Sequence, residues 1–404
     1  MTQYKGIVLV APGGPFQHPL VRKLQDIGFV VHVADIDPKS YCCNKADFFH
    51  NVSSTDIEAL DAICKKYNVD FALTDQTDTS VYTINQLNIR LRKKVSKPKT
   101  IETFCNKLLL SKKAASLNHL VPETYEARKF FNSERTDKKC NWIVKPVDSQ
   151  SSKGISILNA NPQNNSYLEE AITFSESYSK CGQAIIQQYI TGTEYTVEGI
   201  VENGDHRVLA ISRKYKYKTS PFVSSRLDFA APEYWGVEFE NLIRRHNKFI
   251  NSAELINAQT HAEYIHYNGQ FYMIECAARG GGSLISSHIV PFVSGVNPEI
   301  LLAAQILDKE LISNTYKMAS SNLVSLVFCD PKIPFITLSL TRRLKTRCDL
   351  LYIQPCLQTI DSPAYSMRSD EHRNKAGFLI VTGSSIPEIN ASIDEIRLIS
   401  SGHP

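Results

Sequence analysis

The sequence has no apolar run approaching the ~20 residues a membrane-spanning helix needs, so a membrane span is not expected. It has no C-x-x-C. Its ten cysteines are scattered, with one adjacent pair at Cys42-Cys43, which argues against a zinc site and a dense disulfide framework. It has little excess charge of either sign. Lys and Arg number 45 and Asp and Glu 41, leaving a formal +4, which gives no footprint for nucleic acid or an anionic membrane. The basic runs Arg90–Lys94 and Arg342–Lys345 read as solvated faces. Internal repeats and low-complexity segments are absent. No leader-like segment precedes the first strand-like run, and the cysteine usage fits a reducing compartment, so a cytoplasmic location is expected. Neither G-x-G-x-x-G nor G-x-x-x-x-G-K-[ST] occurs, which removes the two commonest phosphate-loop fingerprints.

What is present is a chain of 404 residues, 43% hydrophobic and 21% charged, the composition of an ordinary globular protein of two to four domains. The first ninety residues alternate strand and helix. Gly6–Ala11 is a continuous apolar run ending in Pro12-Gly13-Gly14, and residues 18–27 carry Leu20, Val21, Leu24 and Ile27 at helical spacing. Phe29–Ala34 and Val69–Thr74 read as further strands, with a helix over 55–67 between them. This pattern predicts a doubly wound α/β unit with its ligands near the strand C-termini. There lie the Gly13-Gly14 turn, best read as a tight strand-to-helix turn, and the carboxylates of Asp75 and Asp78.

A helical pattern runs from Lys99 to Ala115. Strand Trp142–Pro146, a polar loop through Ser151-Ser152-Lys153-Gly154, and strand Ile155–Leu158 predict a hairpin with a flexible tip. Ala184–Ile190 and Glu194–Val201 are strands around the turn Thr191-Gly192-Thr193. The segment Arg213–Asp228 opens with alternating lysines, which either receive an acidic substrate or, the plainer reading, form a solvated hairpin. Asn268-Gly269 is the strongest hairpin signal in the chain. Its register is open. A two-residue loop pairs Glu263 with Ile274, whereas a three-residue loop pairs Glu263 with Glu275. Carboxylates set opposite one another repel unless a cation lies between them, and hard oxygen donors suit Mg²⁺. Two exposed surface glutamates are the alternative.

Arg279 and Gly280-Gly281-Gly282 follow Glu275 closely, and an arginine fork beside glycine N–H groups suits an oxyanion. Lys145 lies inside an apolar strand, where a charge needs a partner. With Lys107 on an upstream helix and the 151–154 loop, it could clamp the phosphates of a nucleotide; alone, Lys107 would read as an exposed helix position.

In this order the motifs resemble the ATP-grasp superfamily over nearly the whole chain. The matching stretches are Asn106-Lys107, Ile143-Val144-Lys145-Pro146, Ser151–Gly154, Gln187–Ile190 with Glu194, and Glu263 followed twelve residues later by Glu275-Cys-Ala-Ala-Arg279. The resemblance implies an α/β fold of ATP-grasp architecture in four parts: an N-terminal α/β domain over 1–98, a central subdomain over 99–183 with a mobile loop at 148–154, an ATP- and metal-binding subdomain over 184–320, and a C-terminal α/β lobe over 321–404. It implies that Lys107, Lys145, Ser151, Ser152, Lys153 and Gly154 hold phosphates. Gln187, Gln188, Tyr189 and Ile190 would receive adenine through the backbone, and Glu194 the ribose. Glu263 and Glu275 would ligate Mg²⁺, with Mn²⁺ as an alternative occupant. Arg279 and Lys145 would act in catalysis, and Arg279, Gly280 and Gly281 on the substrate. Two positions depart from the family. Gln187 stands where an acidic residue is common, and Ala277 stands where an asparagine supplies a metal ligand, which leaves open one metal site or two.

Glu-x-Ala-x-Arg followed by glycines, Gly13-Gly14-x-x-Gln17, and Ala376-Gly377-Phe378 are similar to the branch of L-amino-acid ligases and related carboxylate–amine ligases. That branch implies an ATP-dependent ligase forming an amide or peptide bond through an acyl phosphate. Its partners would be a small-molecule acid and amine, with no nucleic acid or membrane, and with room for a homo-oligomer. The alternatives are a silent ATP-binding sensor and a biotin-carboxylase-like enzyme that activates bicarbonate; no Met-Lys-Met of a biotin carrier occurs.

Overall fold

A computed structural model describes residues 5–131, 140–158, 165–218, 220–311, 323–329, 349–356, 374 and 376–400. The N-terminal unit is the expected doubly wound one. Strands β1 (Gly6–Val10), β2 (Phe29–Asp35), β3 (Phe48–Asn51) and β4 (Phe71–Leu73) form a parallel sheet in the order β3-β2-β1-β4. Helices α1 (His18–Asp26), α2 (Ile57–Tyr67) and α3 (Val81–Arg90) connect or follow them. The Gly13 turn is structural. Its N–H donates to Asp35 at 2.8 Å, and a Cβ there would come 2.5 Å from Val33. The parallel pairing of β1 with β4 brings the β1–α1 loop and the β4–α3 loop to the same edge of the sheet, at the strand C-termini.

The single helix expected from Lys99 to Ala115 is two: α4 (Pro98–Cys105) and α5 (Lys107–Ser116). Asn106 between them is extended, and its side chain accepts the N–H groups of Leu108 and Leu109, so it caps α5 rather than continuing α4. This break places Lys107 at the first position of α5, with its own N–H on the Val147 carbonyl.

A second sheet, β5 (Thr124–Glu126), β6 (Trp142–Pro146), β7 (Ser156–Leu158) and β8 (Ala184–Gln188), is ordered β5-β8-β6-β7 with antiparallel pairs throughout. Helices α6 (Ala127–Phe131) and α7 (Asn165–Ser177) cover one face around Phe130, Trp142, Leu168 and Ile172. The β6–β7 hairpin is the one expected, with the serine-rich loop at its tip.

The third sheet has eight strands. They are β9 (Thr193–Glu202), β10 (Asp205–Tyr217), β11 (Ser220–Ala230), β12 (Ala258–Tyr267), β13 (Gln270–Ala277), β14 (Leu323–Phe328), β15 (Leu350–Gln354) and β16 (Phe378–Gly383), in the order β13-β12-β9-β10-β11-β14-β16-β15. The strands after residue 321 therefore extend this sheet beyond β11. Helix α8 (Val237–Ser252) packs on one face with Tyr195, Ile211 and Tyr264. Ile200, Leu227, Phe229, Val324 and Leu326 on the opposite face share a core with Val8, Leu20 and Phe71 of the N-terminal unit and with α9 (Val290–Ser294) and α10 (Pro298–Leu307). Helix α11 (Ile386–Ser400) closes the chain against β16 and β14. Among the described residues no disulfide is formed, and no single helix is long and apolar enough to cross a membrane.

Candidate active site

The site starts from the β12–β13 hairpin. Tyr267 pairs with Gln270 across a two-residue turn, yet Glu263 still lies opposite Glu275. Both registers considered from the sequence are thus partly realised, because a β-bulge at Ile274 inserts one residue between Met273, opposite Tyr264, and Glu275. The bulge also leaves the Ile274 carbonyl facing Lys145, whose Nζ donates to it at 3.4 Å. Lys145 is 6% exposed. Burial lowers its pKa to about 8, with Glu275 pulling the other way.

Each carboxylate of the pair holds a lysine. Glu275 Oε1 is 3.0 Å from Lys107 Nζ, which also donates to the Ser149 carbonyl at 2.6 Å. Glu263 Oε1 is 2.9 Å from Lys214 Nζ, and Lys214 also contacts Glu194, whose other oxygen meets Lys216 at 2.7 Å. Behind Glu263, His261 Nδ1 is 2.6 Å from Glu198 and Nε2 is 3.6 Å from Glu263 Oε1. Burial would discharge this imidazole, but the Glu198 carboxylate outweighs it and raises the pKa to about 9. Burial likewise works against ionisation of Glu263, and the charges of Lys214 and His261 hold its carboxyl well below the usual range.

All of these groups except Glu198 line a cavity of about 420 Å³ between the four-stranded antiparallel sheet and the eight-stranded one. It brings together Lys107, Lys145, Glu194, Glu263, Glu275 and Arg279, the charged candidates of the sequence reading. Ser151, Ser152 and Lys153 close one side, and Gln187, Gln188, Tyr189 and Ile190 another. The Gln187 amide Nε2 donates to Thr124 Oγ1 at 2.8 Å, which fixes its side chain. The N–H groups of Gln188 and Tyr189 are held by the carbonyls of Glu123 and Asn141.

Three of the expected residues are not in the lining. Gly154 has φ +69°, and a Cβ there would come 2.8 Å from both Pro146 and Tyr178, so it closes the loop. The Gly280 N–H is taken by Asp75 at 3.2 Å, and a Cβ at Gly280 would lie 2.4 Å from that of Ser286. Gly281 packs against Glu198 and His261. Gly282 is the glycine of the run that lines the cavity.

The structure also supplies residues that the sequence reading did not single out. Of the two readings of the 213–228 segment, the plainer one, a solvated hairpin, does not hold for Lys214: its side chain is only 10% exposed and lines the cavity with Lys216. A period-2 signal was there. Ser212, Lys214 and Lys216 share the face of β10 that meets Glu194, Thr196 and Glu198 of β9. Glu198 and His261 complete the set, and nothing local marks them; Asp78, noted in the sequence at the strand C-termini, is the partner of Arg279.

Residues 138–287 match the sequence model of the ATP-grasp domain family. The chain contains an ATP-grasp domain. Solved structures share the fold over nearly the whole of this chain. L-amino acid ligase from Bacillus licheniformis is 16% identical with a TM-score of 0.75, and the match covers 98% of both chains. Phosphoribosylglycinamide synthetase from Anaerococcus prevotii is 15% identical with a TM-score of 0.71 over 97% of both. N5-carboxyaminoimidazole synthetase from Staphylococcus aureus, in complex with ADP, is 14% identical with a TM-score of 0.71 over 98% of both. No curated protein sequence matches the chain. The hairpin with Glu263, Glu275 and Arg279, strands β6 and β8, and the serine-rich loop all fall inside the ATP-grasp domain, whereas Lys107 and Asp78 reach it from outside.

Proposed function

We propose that the protein is an ATP-dependent ligase that joins a carboxylic acid to an amine, releasing ADP and phosphate. The observation that carries this is the opposition of Glu263 and Glu275 in one cavity with Lys107, Lys145 and Arg279. The fold, shared with a ligase and with a synthetase solved with ADP, supports it.

The donor set fits Mg²⁺. Two carboxylates face one another, and among the described residues no group of three or more His, Cys, Asp or Glu is arranged to hold a metal. One or two carboxylates completed by substrate phosphates is the arrangement that Mg²⁺ favours. When bound, Mg²⁺ supplies neutralisation of the β- and γ-phosphates during in-line transfer.

The chain's own residues do the rest. Lys107 leaves Glu275, and Lys145 leaves the Ile274 carbonyl, to hold phosphate oxygens. Ser151, Ser152 and Lys153 cover the phosphates and exclude water, which would otherwise intercept an acyl phosphate. The segment Gln187–Ile190 lies where adenine would enter between the two sheets, and Glu194 where the ribose hydroxyls would displace a lysine. Arg279 steadies the charge that develops as the γ-phosphoryl passes to the acid. The amine then attacks the acyl phosphate and expels phosphate; no protein nucleophile is required. The test is release of ADP and phosphate from ATP and Mg²⁺ across pairs of acids and amines, with the product mass determined. ATP bound without turnover for any pair would favour a silent ATP-binding protein instead.

A further inference from the structure

Arg279 carries five N–H donors, and the structure commits three of them. Nε donates to Asp78 Oδ1 at 2.5 Å, Nη2 to Asp78 Oδ2 at 3.0 Å, and Nη1 to the Gly280 carbonyl at 2.9 Å. Two donors remain, one on each terminal nitrogen, on a side chain that lines the cavity. Asp78 comes from the β4–α3 loop, 201 residues away in sequence. Its own backbone N–H donates to Gln150 Oε1 at 2.8 Å, so the serine-rich loop fixes the residue that fixes Arg279. The two side chains are 10% and 20% exposed. Burial favours a neutral Asp78, but the Arg279 charge and its hydrogen bonds prevail and keep the carboxyl ionised.

We propose that Asp78 is the positioning residue for Arg279. It grips one edge of the guanidinium and turns the two remaining donors into the cavity as a seat for an oxyanion. This rests on the reading of the cavity as a phosphoryl-transfer site. A guanidinium is planar and has a limited number of paired edges. With one edge held by Asp78, rotation about the arginine's side-chain bonds is stopped, and the other terminal donors point one way. The oxyanion is either the phosphoryl group in transfer or the carboxylate of the acid; both present two oxygens at the spacing of a guanidinium edge.

The test is titration calorimetry on the wild type and on Asp78→Asn. Inorganic phosphate is added to the MgADP complex in one arm. Acetate is added to the complex with Mg²⁺ and a non-hydrolysable ATP analogue in the other. Asp78→Asn should weaken at least one anion by about fivefold or more while the MgADP Kd stays within about twofold. In an Arg279→Lys background it should add nothing further. The arm that responds identifies the occupant. A smaller loss in both arms, tighter binding in either, or no anion bound by the wild type overturns the proposal. So does a parallel loss of MgADP affinity, which is what a mere clamp between the two parts of the chain would give. Should Asp78→Asn not fold, Gln150→Ala leaves both partners of the ion pair in place. It is expected to weaken the same anion at least about threefold, and no change overturns the proposal. Failure of the wild type to bind MgADP counts against the nucleotide reading alone; the anion titrations are then made on the free protein.

Discussion

Lys145 should make the protein less stable than it would be without it. The side chain is 6% exposed, and its one described hydrogen bond is the long one to the Ile274 carbonyl. Burial lowers its pKa from 10.5 to about 8. At 1.36 kcal/mol for each pH unit of that gap, holding the charged form in the fold costs about 3 kcal/mol at pH 7. The folded pKa lies below the unfolded one, so the unfolded chain binds more protons between them and stability rises with pH across that window. Below pH 8 the cost is fully present; it shrinks from about 8 toward 10.5, and about 1.4 kcal/mol remains at pH 9.5. Lys145→Met, similar in length and without the charge, should therefore raise the midpoint of denaturant unfolding at pH 7, and the gain should fall by more than half at pH 9.5. The same variant should bind ATP about 10- to 100-fold more weakly, because a charge-assisted phosphate contact contributes roughly 1.5–3 kcal/mol. Equal or lower stability at pH 7, or a gain that ignores pH, would refute the reasoning. ATP affinity within about twofold of wild type would leave Lys145 a mere core lysine.

Three further substitutions test the site. Glu275→Gln should abolish ADP formation with the fold intact; turnover unchanged at saturating ATP and Mg²⁺ would sink its assignment as a metal ligand. Arg279→Lys should keep ATP affinity nearly intact but lower kcat by at least ~100-fold, since lysine cannot reproduce two paired edges. A collapse of ATP affinity with surviving kcat would make Arg279 a nucleotide anchor. Gly280→Ala should destabilise by about 1–3 kcal/mol, because the added Cβ meets Ser286 at 2.4 Å and Asp75 at 2.6 Å in a packed core; an unchanged unfolding midpoint would show that the run can shift at no cost.

Local chemistry made much of the fold legible. The apolar runs of β1 and β2 with their intervening helix, the β6–β7 hairpin and the Asn268-Gly269 turn follow from periodicity and turn residues alone. Asn106 was legible in principle, since an extended asparagine before Lys107-Leu108-Leu109 is a cap, but a run of helix formers on both sides hid the break. The Ile274 bulge had no such mark: neither glycine nor proline stands there, and only the ladder with β12 shows that one residue is extra. The roles of Lys214 and Asp78 were hidden for a different reason. Their roles depend on partners far away in the chain: Lys214 meets Glu263 of β12, 49 residues on, and Asp78 meets Arg279, 201 residues on. A lysine in an alternating segment looks the same whether its face meets solvent or the carboxylates of a cavity.

Those carboxylates set a condition on how the cavity can work. Glu194, Glu263 and Glu275 each hold a lysine, and an ion pair taken out of water is strongly destabilising once one partner leaves. On the proposed reading the phosphates must draw Lys107 off Glu275, and the ribose hydroxyls must displace lysine from Glu194. Without a replacement cation, Glu275 would be left charged opposite Glu263, where like charges repel. Nucleotide and divalent cation therefore have to arrive together, each compensating the charge that the other uncovers. Lys145 and Arg279 stand apart from this exchange. Lys145 holds only a backbone carbonyl, and Arg279 keeps its carboxylate while two donors stay open. The cavity thus separates cations that are released by ligand entry from cations that wait for it, and the second kind are the ones whose charge is available for the transferred group.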